Sequence, residues 1–182
     1  MQKTQLISSV LTSALLLSSL FSFGGKIAQA QRAQRPVSLL NSKCVNSGLG
    51  TVRQENLDVS IGRAVYTSRF YLGPGNRSAS LTCNIKPEKS SKPPFQTLNL
   101  GFGIRDNDTK SPGVEVKVYL DGNQAETRTV APGQQTSLAF DVSNASNVAI
   151  EAVCTSQSQY CDRVYFFTAA LERQSAPAQP KK

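Results

Sequence analysis

Along most of the chain apolar and polar residues alternate with a period of two, as they do in strands that bury one face and wet the other. Val114, Val116, Val118 and Leu120 fall on one face, while Glu115, Lys117 and Tyr119 take the other. Leu138, Phe140 and Val142 repeat the pattern, as do Val148, Ile150, Ala152 and Cys154. With β-branched and aromatic enrichment added, the reading gives strands at 57–61, 64–71, 79–85, 95–104, 114–120, 124–130, 136–142, 148–154 and 164–171. Asp121-Gly122 supplies the positive-φ pair of a tight hairpin, and Gly73-Pro74-Gly75, Ser111-Pro112-Gly113 and Ala131-Pro132-Gly133 mark further turns. Residues 86–94, KPEKSSKPP, form a polar, proline-rich loop. No segment carries a convincing helical stripe. Short strands punctuated this regularly predict an all-β chain, an antiparallel β-sandwich closed as a jelly roll.

The two ends break the alternation. Lys3, an apolar stretch over 6–23 diluted by serine, threonine and alanine, and Ala28-Gln29-Ala30 are the three parts of a secretory signal peptide, with cleavage expected after Ala30. The stretch carries too many hydroxyl side chains and ends too soon, at Gly24-Gly25-Lys26, to read as a membrane anchor. No membrane span is then expected after cleavage, and the protein is placed as secreted or periplasmic. Residues 31–42 read as a flexible lead-in, 43–172 as one β-sandwich domain and 173–182 as a loose tail of proline, alanine and lysine.

Charge and cysteine content narrow the chemistry. With Lys3 and Lys26 in the leader, 18 basic and 12 acidic residues leave a charge of +6 on the remaining 152 residues. These charges are scattered rather than set in an aromatic-studded stripe, which argues against nucleic acid as a partner. All four cysteines, Cys44, Cys83, Cys154 and Cys161, follow the leader, so two disulfides are expected. Three pairings exist. The short loop TSQSQY favours Cys154 with Cys161, leaving Cys44 with Cys83. There is no histidine in the chain, which removes Ser-His-Asp and Cys-His catalysis and histidine metal clusters. The acidic residues fall mostly at turns or outward strand positions, and the chain is read as non-enzymatic with no cofactor required.

The densest polar cluster is Arg105-Asp106-Asn107-Asp108-Thr109. Asp106 and Asp108 could offer oxygens to a Ca²⁺ ion, and with Asn107 they could bind sugar hydroxyls. Capping of the turn by the same side chains, through hydrogen bonds to the backbone, is the preferred account of them. Sugar recognition also wants an aromatic platform. Without tryptophan, the candidates are Tyr71, Tyr160 and the Tyr165-Phe166-Phe167 run, of which Tyr160, inside the short cysteine loop, is the best placed to be exposed.

The phrases FQTLNLGFGIRDND at 95–108, VEVKVYLDGN at 114–123, LAFDVSNASNVAIEA at 138–152 and DRVYFFTAAL at 162–171 recur in an order that resembles the NPCBM family of carbohydrate-binding modules. The resemblance implies a galactose-binding-like jelly roll whose ligand sits in loops at one end of the sandwich. By position it nominates the Asp106 to Asp108 loop and the Tyr160 to Asp162 loop. Two departures are plain: Phe166 stands where the family's closing strand usually carries tryptophan, and the cysteines are not part of the family's pattern. The function so implied is glycan binding at a cell-surface polysaccharide or in the envelope. A structural or protein-interaction envelope domain, with a protein partner and no small ligand, is the alternative.

Overall fold

A computed structural model describes residues 35–88 and 90–173. The signal peptide, its cleavage site, the first part of the lead-in and the tail beyond Arg173 lie outside the described residues.

Eleven strands form two antiparallel sheets. They are β1 (Val37–Ser38), β2 (Lys43–Gly48), β3 (Thr51–Ile61), β4 (Ala64–Gly73), β5 (Ser78–Asn84), β6 (Phe95–Gly103), β7 (Val114–Leu120), β8 (Asn123–Val130), β9 (Gln135–Asp141), β10 (Asn147–Cys154) and β11 (Val164–Arg173). One sheet runs β3-β4-β11-β6-β9, with β1 added against β11, and the other runs β2-β5-β10-β7-β8. Only β3–β4 and β7–β8 are hairpins within a sheet, and the other connections from β2 onward cross between sheets, as a jelly roll requires. The predicted all-β sandwich is therefore the observed fold, and all nine predicted strands are present.

The alternating residues do what their period implies. Val114, Val116 and Val118 of β7 and Val148, Ile150 and Ala152 of β10 are sealed between the sheets, facing Phe70, Phe102 and Phe166. Phe166 stacks on Phe70 at 4.5 Å between ring centroids and meets Phe102 at 5.2 Å. A phenylalanine buried to this degree contributes about 1.5–3 kcal/mol by burial alone. The position where the family resemblance expected tryptophan is thus filled as core.

Two elements differ from the sequence reading. The last residues of the expected lead-in are structured: β1 pairs Val37 with Leu171, a 3-10 turn follows at Leu39–Asn41, and Leu39 is fully buried in the core. The strand β2 and the first half of β3 were not foreseen, because KCVNSG and TVRQEN lack alternation at an exposed edge. The physical reason is shared. Edge strands bury little, so pairing rather than hydrophobic period defines them.

The β3–β4 hairpin also has an unexpected job. Its ladder to β11 ends at Phe70, and bulges interrupt β3 between Gln54 and Leu57 and β11 between Phe166 and Thr168. Beyond that point it folds as a flap over the outer face of its own sheet. There Val59, Ile61, Tyr71 and Tyr165 form a second small core, closed by Tyr66 stacked on Phe167 at 4.3 Å. The flap tip is a two-residue turn with positive φ at both Gly62 and Arg63, the backbone of a type I′ hairpin.

Candidate functional site

Five connections meet at one end of the sandwich: 49–50, 74–77, 104–113, 131–134 and 155–163. Backbone hydrogen bonds tie them together, with the Cys161 amide donating to Gly75, the Thr155 amide to Gly113 and the Gly50 amide to Ser78. This rim contains Asp106, Asn107, Asp108, Tyr160 and Asp162, the ligand-binding candidates of the sequence. The Cys154–Cys161 disulfide closes the 155–163 connection, and Cys44–Cys83 joins directly paired residues of β2 and β5. Both cystines are thus the ones the sequence favoured.

Asp106 does not face solvent as a ligand. Its carboxylate accepts hydrogen bonds from the Ser60 hydroxyl at 2.5 Å, the Gly62 amide at 2.7 Å and the Arg63 amide at 3.0 Å. The Ser60 hydroxyl, followed by the Arg63 amide, holds this carboxyl below the usual aspartate range. Asp106 is the latch of the flap. Asp108 is buried and accepts a forked pair from Arg105, with Nε at 3.1 Å and the terminal nitrogen at 2.9 Å. That same Asp108 is the main reason the Arg105 guanidinium is raised above its ordinary value.

The calcium expectation meets these facts directly. Asp106 and Asp108 lie two residues apart in sequence but aim at different partners, and among the described residues no three acidic, histidine or cysteine groups gather. The donor set does not fit a calcium ion. The turn-shaping reading of these side chains is the one their geometry supports.

Asn107, Tyr160 and Asp162 remain available. Asn107 is exposed at its loop tip, and Tyr160 is 65% exposed with its ring lying over Gly75. Asp162 is half-buried, its own amide donating to the Ser111 hydroxyl at 2.8 Å. Burial first, and then the nearby Asp108 charge, push its carboxyl above the usual range. The other aromatic candidates are withdrawn from solvent, since Tyr71, Tyr165 and Phe166 are buried and Phe167 is engaged by Tyr66.

Two arginines complete the rim and were not singled out as site residues. Arg105 lies 5.2 Å from the Tyr165 ring centroid, and Arg163 lies 4.6 Å from that of Tyr71. The Tyr165 hydroxyl is sealed from solvent without a hydrogen-bond partner. Arg163 approaches it without the geometry of a hydrogen bond, yet this phenol is the first cause of the raised guanidinium. Burial in turn pushes the phenol up.

Two concavities at the opposite end were also not foreseen. One, of about 280 Å³, is lined by Val37, Lys43, Asn84, Ile85, Lys86 and Phe95. The other, of about 260 Å³, is lined by Leu120, Asp121, Asn123, Asp141, Ser143 and Asn144. In the second, Asp121 is engaged by the amides of Ser146 and Asn147, and Asp141 by that of Ser143.

No protein-family model matches the sequence, and no curated protein is similar to it. Solved structures do share its fold. The CBM51 module of a Clostridium perfringens GH95 protein, in complex with methyl-galactose, superposes with a TM-score of 0.60 at 10% identity, over 75% of this chain and 99% of that one. A Clostridium perfringens ZmpB fragment comprising the CBM51-2 and INT domains gives a TM-score of 0.61 at 17% identity, over 80% of this chain and 33% of that one. The same fragment with CBM51-2 in complex with GlcNAc gives 0.61 at 16% identity, over 80% and 33%. The chain thus spans a third of that fragment but nearly the whole of the isolated module. At such identities the likeness establishes the sandwich, which is that of carbohydrate-binding modules.

Proposed function

We propose that this chain is a non-catalytic glycan-binding module acting outside the cytoplasm, in the envelope or secreted. The observation that carries the reading is the superposition on a complete carbohydrate-binding module whose complex contains methyl-galactose. The two cystines and the leader-like N-terminus support an oxidising compartment. The absence of histidine from the whole sequence supports a role without acid-base or nucleophilic catalysis of the usual kinds.

In this reading the ligand sits on the rim. Tyr160 offers a solvent-facing ring for the apolar face of a pyranose, and Asn107 and Asp162 offer polar groups to its hydroxyls. Asp106 and Asp108 act indirectly by fixing the loop that presents Asn107. Replacing Tyr160 by alanine is expected to abolish retention on a sugar without lowering the melting temperature, since the ring is mostly exposed. Undiminished affinity in Tyr160→Ala would move the site elsewhere, with the polar hollow at Asp121 and Asp141 the next place to mutate.

A further inference from the structure

The rim connections carry Arg77, Arg105, Lys110 and Arg163 against Asp106, Asp108 and Asp162, with Arg53 at the start of β3 and Arg63 at the flap tip. Arg105 is neutralised by its forked pair with Asp108. Arg163 is its counterpart without a neutraliser: it is exposed, and among the described residues no carboxylate lies within ion-pair distance of it. Its guanidinium rests over Tyr71, an arrangement that positions an arginine while leaving its in-plane N–H donors free. Arg53 stands directly opposite Tyr71 in the β3–β4 ladder, so its side chain leaves the sheet on the same face.

The floor between these groups and Tyr160 is a strip of small residues. Arg163 Cγ lies 3.4 Å from where a Cβ on Gly73 would be, and the Tyr160 ring lies the same 3.4 Å from that position on Gly75. A neutral sugar does not call for an uncompensated arginine. A carboxylate matches the planar fork of a guanidinium.

We propose that the Arg163 face of the rim is the subsite for the carboxylate of an acidic sugar, with Arg163 as the forked donor and Arg53 as the supporting cation. This rests on the glycan-binding reading and specifies its substrate class as uronate-type polysaccharide.

The test compares polygalacturonate with the same polymer methyl-esterified, and with dextran sulfate, using oxidised wild-type protein in affinity electrophoresis or calorimetry. The free acid is expected to bind at least about tenfold more tightly than the ester. Arg163→Lys is expected to lose most of that difference, because it keeps the charge but not the fork. Equal binding of acid and ester would overturn the carboxylate subsite and leave the glycan reading standing. Binding of none of the three polymers, with a folded sample, would overturn the carboxylate subsite, and retention of neutral sugars by the same sample would separate that outcome from failure of the glycan reading. Undiminished acid binding by Arg163→Lys, or dextran sulfate held as tightly as the acid, would mean diffuse charge attraction and would also overturn it.

Discussion

Gly103 sits where β6, the 131–134 connection and the flap converge, and it should tolerate no side chain. A Cβ built there meets the Gln134 carbonyl oxygen inside van der Waals contact, Ile61 Cγ2 at 2.9 Å and Gln135 Cα at 3.1 Å. Two of these neighbours are backbone held in the β6–β9 ladder, so neither can rotate away. Restoring ordinary contact at about 3.5–4 Å requires the start of β9 or the flap to shift by roughly 1 Å. Overpacking of this kind costs about 1–3 kcal/mol, offset in small part by the unfolded-chain entropy that alanine removes. With about 2.1 cal/mol/K per residue of unfolding entropy, a domain of this size should melt roughly 3–10 °C lower as Gly103→Ala. Gly101 provides the comparison. Its Cβ would meet Phe167 Cε2 at 2.5 Å, but that ring can retreat from Tyr66, so the loss should be smaller and should be relieved in a Phe167→Leu background. Thermal unfolding by circular dichroism reads all four proteins. A Gly103→Ala protein melting with wild type, or a larger loss for Gly101→Ala, would refute the placement of the flap.

Three further outcomes are expected. Replacing both members of Cys44–Cys83, which are 39 residues apart, by alanine should cost about 4 kcal/mol, against about 2.5 kcal/mol for Cys154–Cys161, 7 apart; urea unfolding that ranks them the other way would contradict the loop-entropy account. Asp106 is held below its ordinary value, so its contribution to stability is present above about pH 4 and is lost as pH falls through the lowered folded value. Asp162 is held above its ordinary value, so its charge opposes folding at neutral pH and that opposition fades as pH falls through the raised value. Asp106→Asn should therefore melt lower than wild type at pH 7 and Asp162→Asn higher, with both differences shrinking in acid; a melting series across pH that shows either sign reversed would count against the assigned contacts.

The legible parts of this molecule were those in which local pattern and tertiary burial agree. Val114 to Leu120 and Val148 to Cys154 announce their inner faces because both their sheet neighbours and the facing sheet are apolar. Asp121-Gly122 announces its turn because only certain residues accept its backbone, and the observed φ values of 48° and 83° are positive as expected. β2 and β1 were silent because an edge strand needs partners rather than pattern. Leu39 is an isolated anchor whose burial depends on a core formed by residues far along the chain. The sequence nominated residues that the fold gathers at one end of the sandwich, but not the contacts they make there. Asp106 and Asp108 look alike in sequence, yet one is claimed by Ser60 and the flap turn and the other by Arg105, contacts that only the folded register creates. Arg163 carried no sequence signal at all, since what distinguishes it is the Tyr71 ring beneath it and the lack of a carboxylate beside it.

The central claim is that the rim binds glycan, and a glycan array probed with oxidised protein, once with calcium and once with chelator, tests it most directly. The account expects retention on defined sugars that survives chelation, because the Asp106 and Asp108 carboxylates are already engaged within the protein, and that is lost in Tyr160→Ala. A blank array from a well-folded sample would contradict it and turn attention to the exposed Val45 and Leu49 at the β2 edge as a surface for a protein partner.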